Sequence, residues 1–194
     1  DDYDSEFRFV GRPIPSLYST DENERVVYLN TFSKTIAPSI RISYMILPPK
    51  LLERYREKLG FYACTVSGFE QYTLAKFLEQ GYFERHLGRM RNRYRQKRDQ
   101  VITAFLQGPL AGRVKITGQD AGLHFLAELR TSLPDDVLQH RAAEKGLRLA
   151  VLSDYYHDKK GARQHTLVVN YSGLNLQHLP RALEYLADII KEGS

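Results

Sequence analysis

The sequence has no tryptophan, one cysteine and no long apolar run. Each absence removes a class of protein. Cys64 has no second cysteine to pair with, so the fold cannot rest on an internal disulfide, and this suits a reducing compartment such as the cytoplasm. The residue itself reads as a small buried hydrophobe. No stretch approaches the ~20 apolar residues that a membrane-crossing helix needs, and no charged-then-apolar leader opens the chain. Neither a membrane-inserted nor a secreted protein is expected. The histidines, at 86, 124, 140, 157, 165 and 178, show no spacing with cysteine or carboxylate that suits a metal. There is no nucleophile-serine motif, no P-loop, no internal repeat and no low-complexity tract.

What is present is a soluble, globular composition. With 194 residues, 42% of them hydrophobic, the chain can build one good core or two small ones. Val26 to Thr31 and Ile42 to Leu47 read as strands, the second stopped by Pro48-Pro49. Lys50 to Gly60, with leucines at 51, 52 and 59, suits a helix lying on that sheet, and Gly68 to Gln80 suits another, closed by Gly81. Phe83, Leu87, Met90, Tyr94, Val101 and Phe105 recur at helical spacing, so one amphipathic helix is expected over 82–107, ended by Gly108-Pro109. Beyond it, strands are expected at 113–117, 122–128, 147–152 and 166–171, with helices at 134–145 and 177–191.

The stretch with the most chemistry is Thr31-Phe32-Ser33-Lys34-Thr35-Ile36-Ala37-Pro38-Ser39-Ile40-Arg41. Lys34 lies just past a strand end, where open α/β sheets bind ligands. Among small apolar and hydroxyl neighbours it is expected to be half-buried, which lowers an ammonium pKa from its usual value of about 10.4. A neutral amine is a nucleophile able to form a Schiff base with an aldehyde. The chain's opening, Asp1-Asp2-Tyr3-Asp4-Ser5-Glu6-Phe7, adds a carboxylate and a phenol. Pyridoxal 5'-phosphate needs such a set: an amine for its aldehyde, an anion beside the pyridine nitrogen, a donor for the ring oxygen, and cations or hydroxyls for the phosphate. Lys34, Asp1, Tyr3, and Arg41 with Thr31 and Ser33 would fill those places in turn.

The order Asp-x-Tyr, then Thr-x-Ser-Lys and Arg, resembles the fold-type I pyridoxal-phosphate enzymes, the aspartate aminotransferase superfamily. Asp1-Asp2-Tyr3-Asp4-Ser5-Glu6-Phe7-Arg8-Phe9 and Gly81-Tyr82-Phe83-Glu84-Arg85-His86-Leu87-Gly88-Arg89-Met90-Arg91 resemble one branch, the aminotransferase-like domain of MocR-type regulators in the GntR family. The resemblance covers essentially the whole chain. It implies an α/β fold, the C-terminal portion of a fold-type I PLP-dependent transferase: the end of the large-domain sheet over 1–81, a connecting helix over 82–107, and a small α+β domain over 108–194. It implies Asp1, rather than Asp2, as the partner of the pyridine nitrogen. It also implies a homodimer that senses the cofactor, with or without a small amino compound, and meets DNA through a winged-helix domain preceding this chain. The chain has no initiating methionine and opens inside a motif, so a piece of a longer protein is expected. The family's glycine-rich phosphate turn and ring-stacking aromatic residue would lie upstream of Asp1.

Two departures bear on the ligand. Aminotransferases carry a late arginine that forks onto the substrate α-carboxylate, and Thr166-Leu167-Val168-Val169-Asn170-Tyr171-Ser172-Gly173 aligns Val168 with it. Many MocR-type relatives have Leu-Ser-Arg-Tyr-Tyr where this chain has Leu152-Ser153-Asp154-Tyr155-Tyr156. Arg163 is the nearest substitute, and Asp154 is either an attractor for an amine or a turn cap. His124 reads as a packed histidine near the small-lobe sheet. The basic run Arg85, Arg89, Arg91, Arg93, Arg95, Lys97 and Arg98 is expected to be the wet face of the long helix, with non-specific attraction to DNA as the alternative. Three functions follow: an effector-sensing domain of a regulator, a true aminotransferase acting on an amino acid or amine, or a piece whose site is incomplete and binds nothing.

Overall fold

The computed structural model describes residues 3–12 and 14–191. Asp1, the expected pyridine partner, lies outside the described residues. The chain divides into two compact units, residues 1–92 and 93–194.

In the first unit, β1 (Tyr28–Thr31) and β2 (Ser43–Ile46) form a two-stranded antiparallel ladder in which Thr31 faces Ser43 and Tyr28 faces Ile46. Helices α1 (Pro49–Leu59) and α2 (Gly68–Glu79) follow. Pro48-Pro49 ends the ladder and starts α1, because proline's fixed φ suits a first helical turn that lacks acceptors for its amide. Ser67 caps α2 by accepting the Glu70 amide at 3.3 Å, and Gly81 closes it at φ +69° while donating to Leu78 O. The α1 leucine stripe does not lie on the sheet as expected. Leu51 and Leu59 are exposed, and neither α1 nor α2 has a buried residue. A two-stranded ladder is only about 5 Å from strand to strand and is too narrow a platform for two helices.

Helix α3 (Tyr82–Gln107) has the extent its apolar spacing predicts and contributes residues to both units. In the second unit, β3 (Val114–Thr117), β4 (His124–Leu129) and β5 (Thr166–Asn170) form an antiparallel sheet in the order β3-β4-β5. Strand β4 alternates, with Phe125, Ala127 and Leu129 buried and His124 exposed. Phe125 is edge-on to Phe105 of α3 and stacked on Tyr171, whose hydroxyl donates to Gly122 O. Helix α4 (Asp135–Glu144) contributes Leu138 and Ala142 to this core. Helix α5 (Leu179–Lys191) adds the expected stripe of Leu179, Leu183, Leu186 and Ile190.

One expected strand is absent. Over 147–152 only a bridge from Val151 to Leu167 and a bond from Val168 N to Ala150 O (2.8 Å) join β5, and Leu152–Tyr155 winds into a 3-10 turn. Side chains of α4 cause this. Ser153 Oγ donates to the buried Asp135 Oδ2 at 2.5 Å, and Gln139 Nε2 donates to Asp154 Oδ2 at 2.9 Å. Two anchors on successive residues of the segment favour a turn over an extended chain.

Candidate functional site

The loop from β1 to β2 gathers three of the sequence-predicted residues. Phe32 N donates to Ile42 O (3.0 Å), and Ile36 N donates to Phe32 O (2.9 Å), which closes a helical turn over 32–36. Ser33 Oγ donates to Ile40 O at 2.8 Å, and Thr31 Oγ1 lies 3.2 Å from it. Arg41 Nη1 lies 3.4 Å from Ser33 Oγ and 3.4 Å from Pro38 O. Thr31, Ser33 and Arg41 thus form one cluster, two hydroxyls bonded to the carbonyls of Ile42 and Ile40 beside an exposed guanidinium whose charge suits an anion such as phosphate.

Lys34 sits on the same turn but not as expected. The inward side chain is Thr35, which is buried, whereas Lys34 is exposed. The burial expected for Lys34 is therefore not found among the described residues. Tyr3 is partly exposed, at 39%.

Sequence reasoning missed Asn30, which is buried, with its amide donating to Tyr28 OH (2.9 Å) and Glu6 Oε1 (3.2 Å) and its Oδ1 accepting from Thr31 N (2.6 Å). It ties the opening segment to the start of the loop from β1 to β2. The available signal is a polar residue at a strand position whose neighbour Leu29 faces out. Glu6, Asn30, Thr31, Thr35, Tyr44 and Gln71 border a concavity of about 610 Å³, within the usual size of ligand sites.

In the second unit, Arg163 donates to Glu128 Oε2 at 2.6 Å, and Asp154 is held by Gln139 with Lys159 Nζ at 3.7 Å. Val168 faces Leu126 across the ladder, and exposed His124 faces Asn170. The packed-histidine expectation for His124 is corrected, because its strand position points outward.

The basic run is not a uniform wet face. Arg91 Nε donates to Glu6 O at 2.6 Å, Lys97 Nζ to Ser172 O at 2.8 Å, and buried Arg98 Nη1 to Gln119 O at 2.9 Å. Burial, with Arg93 one turn away, holds the Lys97 pKa below the ordinary lysine value. Cys64 is exposed rather than buried, as are its neighbours over 61–65. Among the described residues no group of three or more His, Cys, Asp or Glu is placed to hold a metal, and no helix is long and apolar enough to cross a membrane.

No family model matches the chain. The fold overlays the Pyrococcus horikoshii kynurenine aminotransferase, solved with PMP and kynurenine, at a TM-score of 0.81 and 27% identity, over 98% of this chain and 46% of that one. This chain has the fold of the C-terminal part of a fold-type I aminotransferase. In sequence it resembles MocR-type regulators over nearly its whole length. The HTH-type transcriptional regulator YdeL of Bacillus subtilis is 37% identical over 186 residues, 96% of this chain and 40% of YdeL. The probable rhizopine catabolism regulatory protein MocR of Rhizobium meliloti is 36% identical over 176 residues, 90% of this chain and 35% of that protein. The aminotransferase-like chain thus spans about two fifths of the length of these regulators.

Proposed function

We propose that the chain is part of the effector-sensing domain of a pyridoxal-phosphate-dependent transcriptional regulator. The observation carrying this reading is the Thr31, Ser33 and Arg41 cluster beside Lys34, in a chain similar to HTH-type regulators across 96% of its residues. The donor chemistry fits the cofactor: Thr31, Ser33 and Arg41 would hold its phosphate, Lys34 would be its covalent amine, Tyr3 would donate to the ring oxygen, and Asp1 would face the pyridine nitrogen. Pyridoxal phosphate, when bound, supplies an amine-reactive aldehyde and an electron-withdrawing ring. Arg41 and the two hydroxyls would anchor the phosphate, and Lys34 on the same turn would offer its amine to the aldehyde. In this reading residues 1–81 belong to the large domain, 82–107 form the connecting helix and 108–194 form the small domain. The whole regulator is a cytoplasmic homodimer, binds DNA through an N-terminal winged-helix domain and responds to a small amino compound.

The likeness to kynurenine aminotransferase supports a second reading, a true transaminase acting on an amino acid or amine. There Lys34, once displaced by substrate amine, would also move the α-proton. Valine at 168 and aspartate at 154, where carboxylate-gripping arginines are expected, favour the sensor.

Pyridoxal phosphate added to the regulator containing this chain, followed by borohydride reduction and peptide mass spectrometry, is expected to give an adduct on Lys34. An intact protein with no adduct there would refute the assignment.

A further inference from the structure

The antiparallel bridge of Val151 with Leu167 sets a register in which Leu149 would face Val169 and Arg148 would face Asn170, yet the pairing stops short of them. Its last bond is Val168 N to Ala150 O at 2.8 Å. Before that bond α4 holds the segment instead, since Leu147 N donates to Ala142 O at 2.8 Å and Gln139 Nε2 donates to Leu149 O at 3.2 Å. The edge of β5 is left open there. A cleft of about 340 Å³, within the usual size of ligand sites, lies between residues 147–150, β5 and α5. All its lining residues belong to 93–194, so it is separate from the candidate cofactor loop. Alternation along β5 puts Leu167 and Val169 on the side of Phe125 and Phe105, so the cleft opens on the core face of the sheet.

The floor of this cleft is core: Phe105, Leu167, Leu179, Leu183 and Leu186 are buried. Its walls are not, for Leu147, Leu149, Val169, Leu174 and Ala182 are only half-buried, and an apolar guest would take them out of water. Arg148 is the only charged residue among those lining it. It is exposed and makes no hydrogen bond or ion pair among the described residues, whereas Arg163 is answered by Glu128 at 2.6 Å. Asn170, the one other polar lining residue, accepts Ser172 Oγ at its Oδ1 (2.6 Å), which leaves its amide nitrogen as a second donor. We propose that this cleft binds an apolar monocarboxylate, its carboxylate held by Arg148 with Asn170 and its tail laid on Phe105 and the α5 leucines. A cavity of about 150 Å³ takes one benzene ring, so this one suits a body of about eight to ten carbons. An amino acid or a dicarboxylate fits poorly, because its second charge would lie unpaired against leucine.

The test is calorimetric titration of the whole regulator containing this chain with octanoate, 1-octanol, octylamine and butyrate. Octanoate is expected to bind best, with octanol and octylamine about tenfold or more weaker. Butyrate should be about a hundredfold or more weaker, at roughly fourfold for each buried methylene lost. Arg148→Gln should bring octanoate down to the affinity of octanol, and Arg148→Glu should make octylamine the preferred probe. Both changes fall on an exposed residue and should leave the unfolding midpoint unchanged. Ala182→Leu, which fills part of the cleft, should weaken octanoate and octanol alike. Octanoate should also slow amide exchange over 147–150, which places it. No octanoate binding, equal affinity for octanoate and octylamine, or affinity unmoved by Arg148→Gln would overturn the proposal. The first of these is the result expected if another segment of the longer protein fills the cleft. The Lys34 adduct is read separately and bears on none of these outcomes.

Discussion

Residues 1–92 and 93–194 are close in length and alike in overall apolar content, yet they use apolar side chains in opposite ways. The second unit places Phe105, Phe125, Tyr171, Leu138 and the α5 stripe in one buried set under a three-stranded sheet. The first buries Phe7, Phe9 and Leu87 but leaves Phe69 82% exposed and Tyr72 75% exposed on a helix with no buried residue. The difference lies in the platform. Three strands with a helix on one face shield a row of side chains on every pass, whereas a two-stranded ladder cannot shield a helix at all. The unit with the better core carries the turn held by Asp135 and Gln139, and the unit with the thinner core carries the loop of Thr31, Ser33 and Arg41.

Truncations should expose this contrast most strongly. Phe125→Ala is expected to destabilise the second unit by about 3–5 kcal/mol, and Phe69→Ala to change stability by less than about 0.5 kcal/mol, in denaturant unfolding followed by tyrosine fluorescence. Similar costs at both sites would erase the distinction. Next in size is Asp135→Ala, which strips a buried carboxylate from the Ser153 hydroxyl and from the His165 amide (2.7 Å), leaving both without that partner. A loss of about 3 kcal/mol, with faster hydrogen exchange at His165, is expected. In the first unit the cost should fall on affinity instead. Arg41→Ala is expected to weaken pyridoxal phosphate binding roughly ten- to a hundredfold with an unchanged unfolding midpoint, because Arg41 is exposed and its two contacts are both 3.4 Å long.

The smallest effect is one of pH. Hydrogen bonds from the Val26 amide above all, then from those of Asn23 and Arg25, hold the Asp21 pKa below the ordinary carboxylate value. Its folded pKa is depressed, so its stabilisation is fully present above the unfolded value of about 3.9 and is lost as pH falls through the folded pKa. Amide exchange at Val26 and Arg25 should quicken over that acidic window and stay level above it.

The features legible in the sequence are those whose causes are local. The long helix follows from apolar residues every three or four positions, and the Thr31, Ser33 and Arg41 cluster follows from a single loop closed between paired strands. The features that were not legible depend on distant partners. Nothing within 147–152 announces that Asp135 and Gln139 will draw Ser153 and Asp154 out of a strand. Lys34 looks buried beside Thr35 and Ile36, but burial depends on what packs over the turn, and the turn directs Thr35 inward instead. Asn30 shows in the sequence as a polar residue in a strand, but its partners Glu6 and Tyr28 come into view in the fold.

The carbonyl bonds of Arg91, Lys97 and Arg98 alter what a formal charge of +5 means for a polyanion. Affinity for nucleic acid comes largely from small ions released when phosphates are neutralised by cations free to reach them. A guanidinium already bound to backbone oxygen keeps its charge, but it cannot extend to a phosphate without breaking its own fold. Any salt-sensitive attraction of this chain for DNA should therefore correspond to fewer phosphate contacts than its count of basic residues suggests.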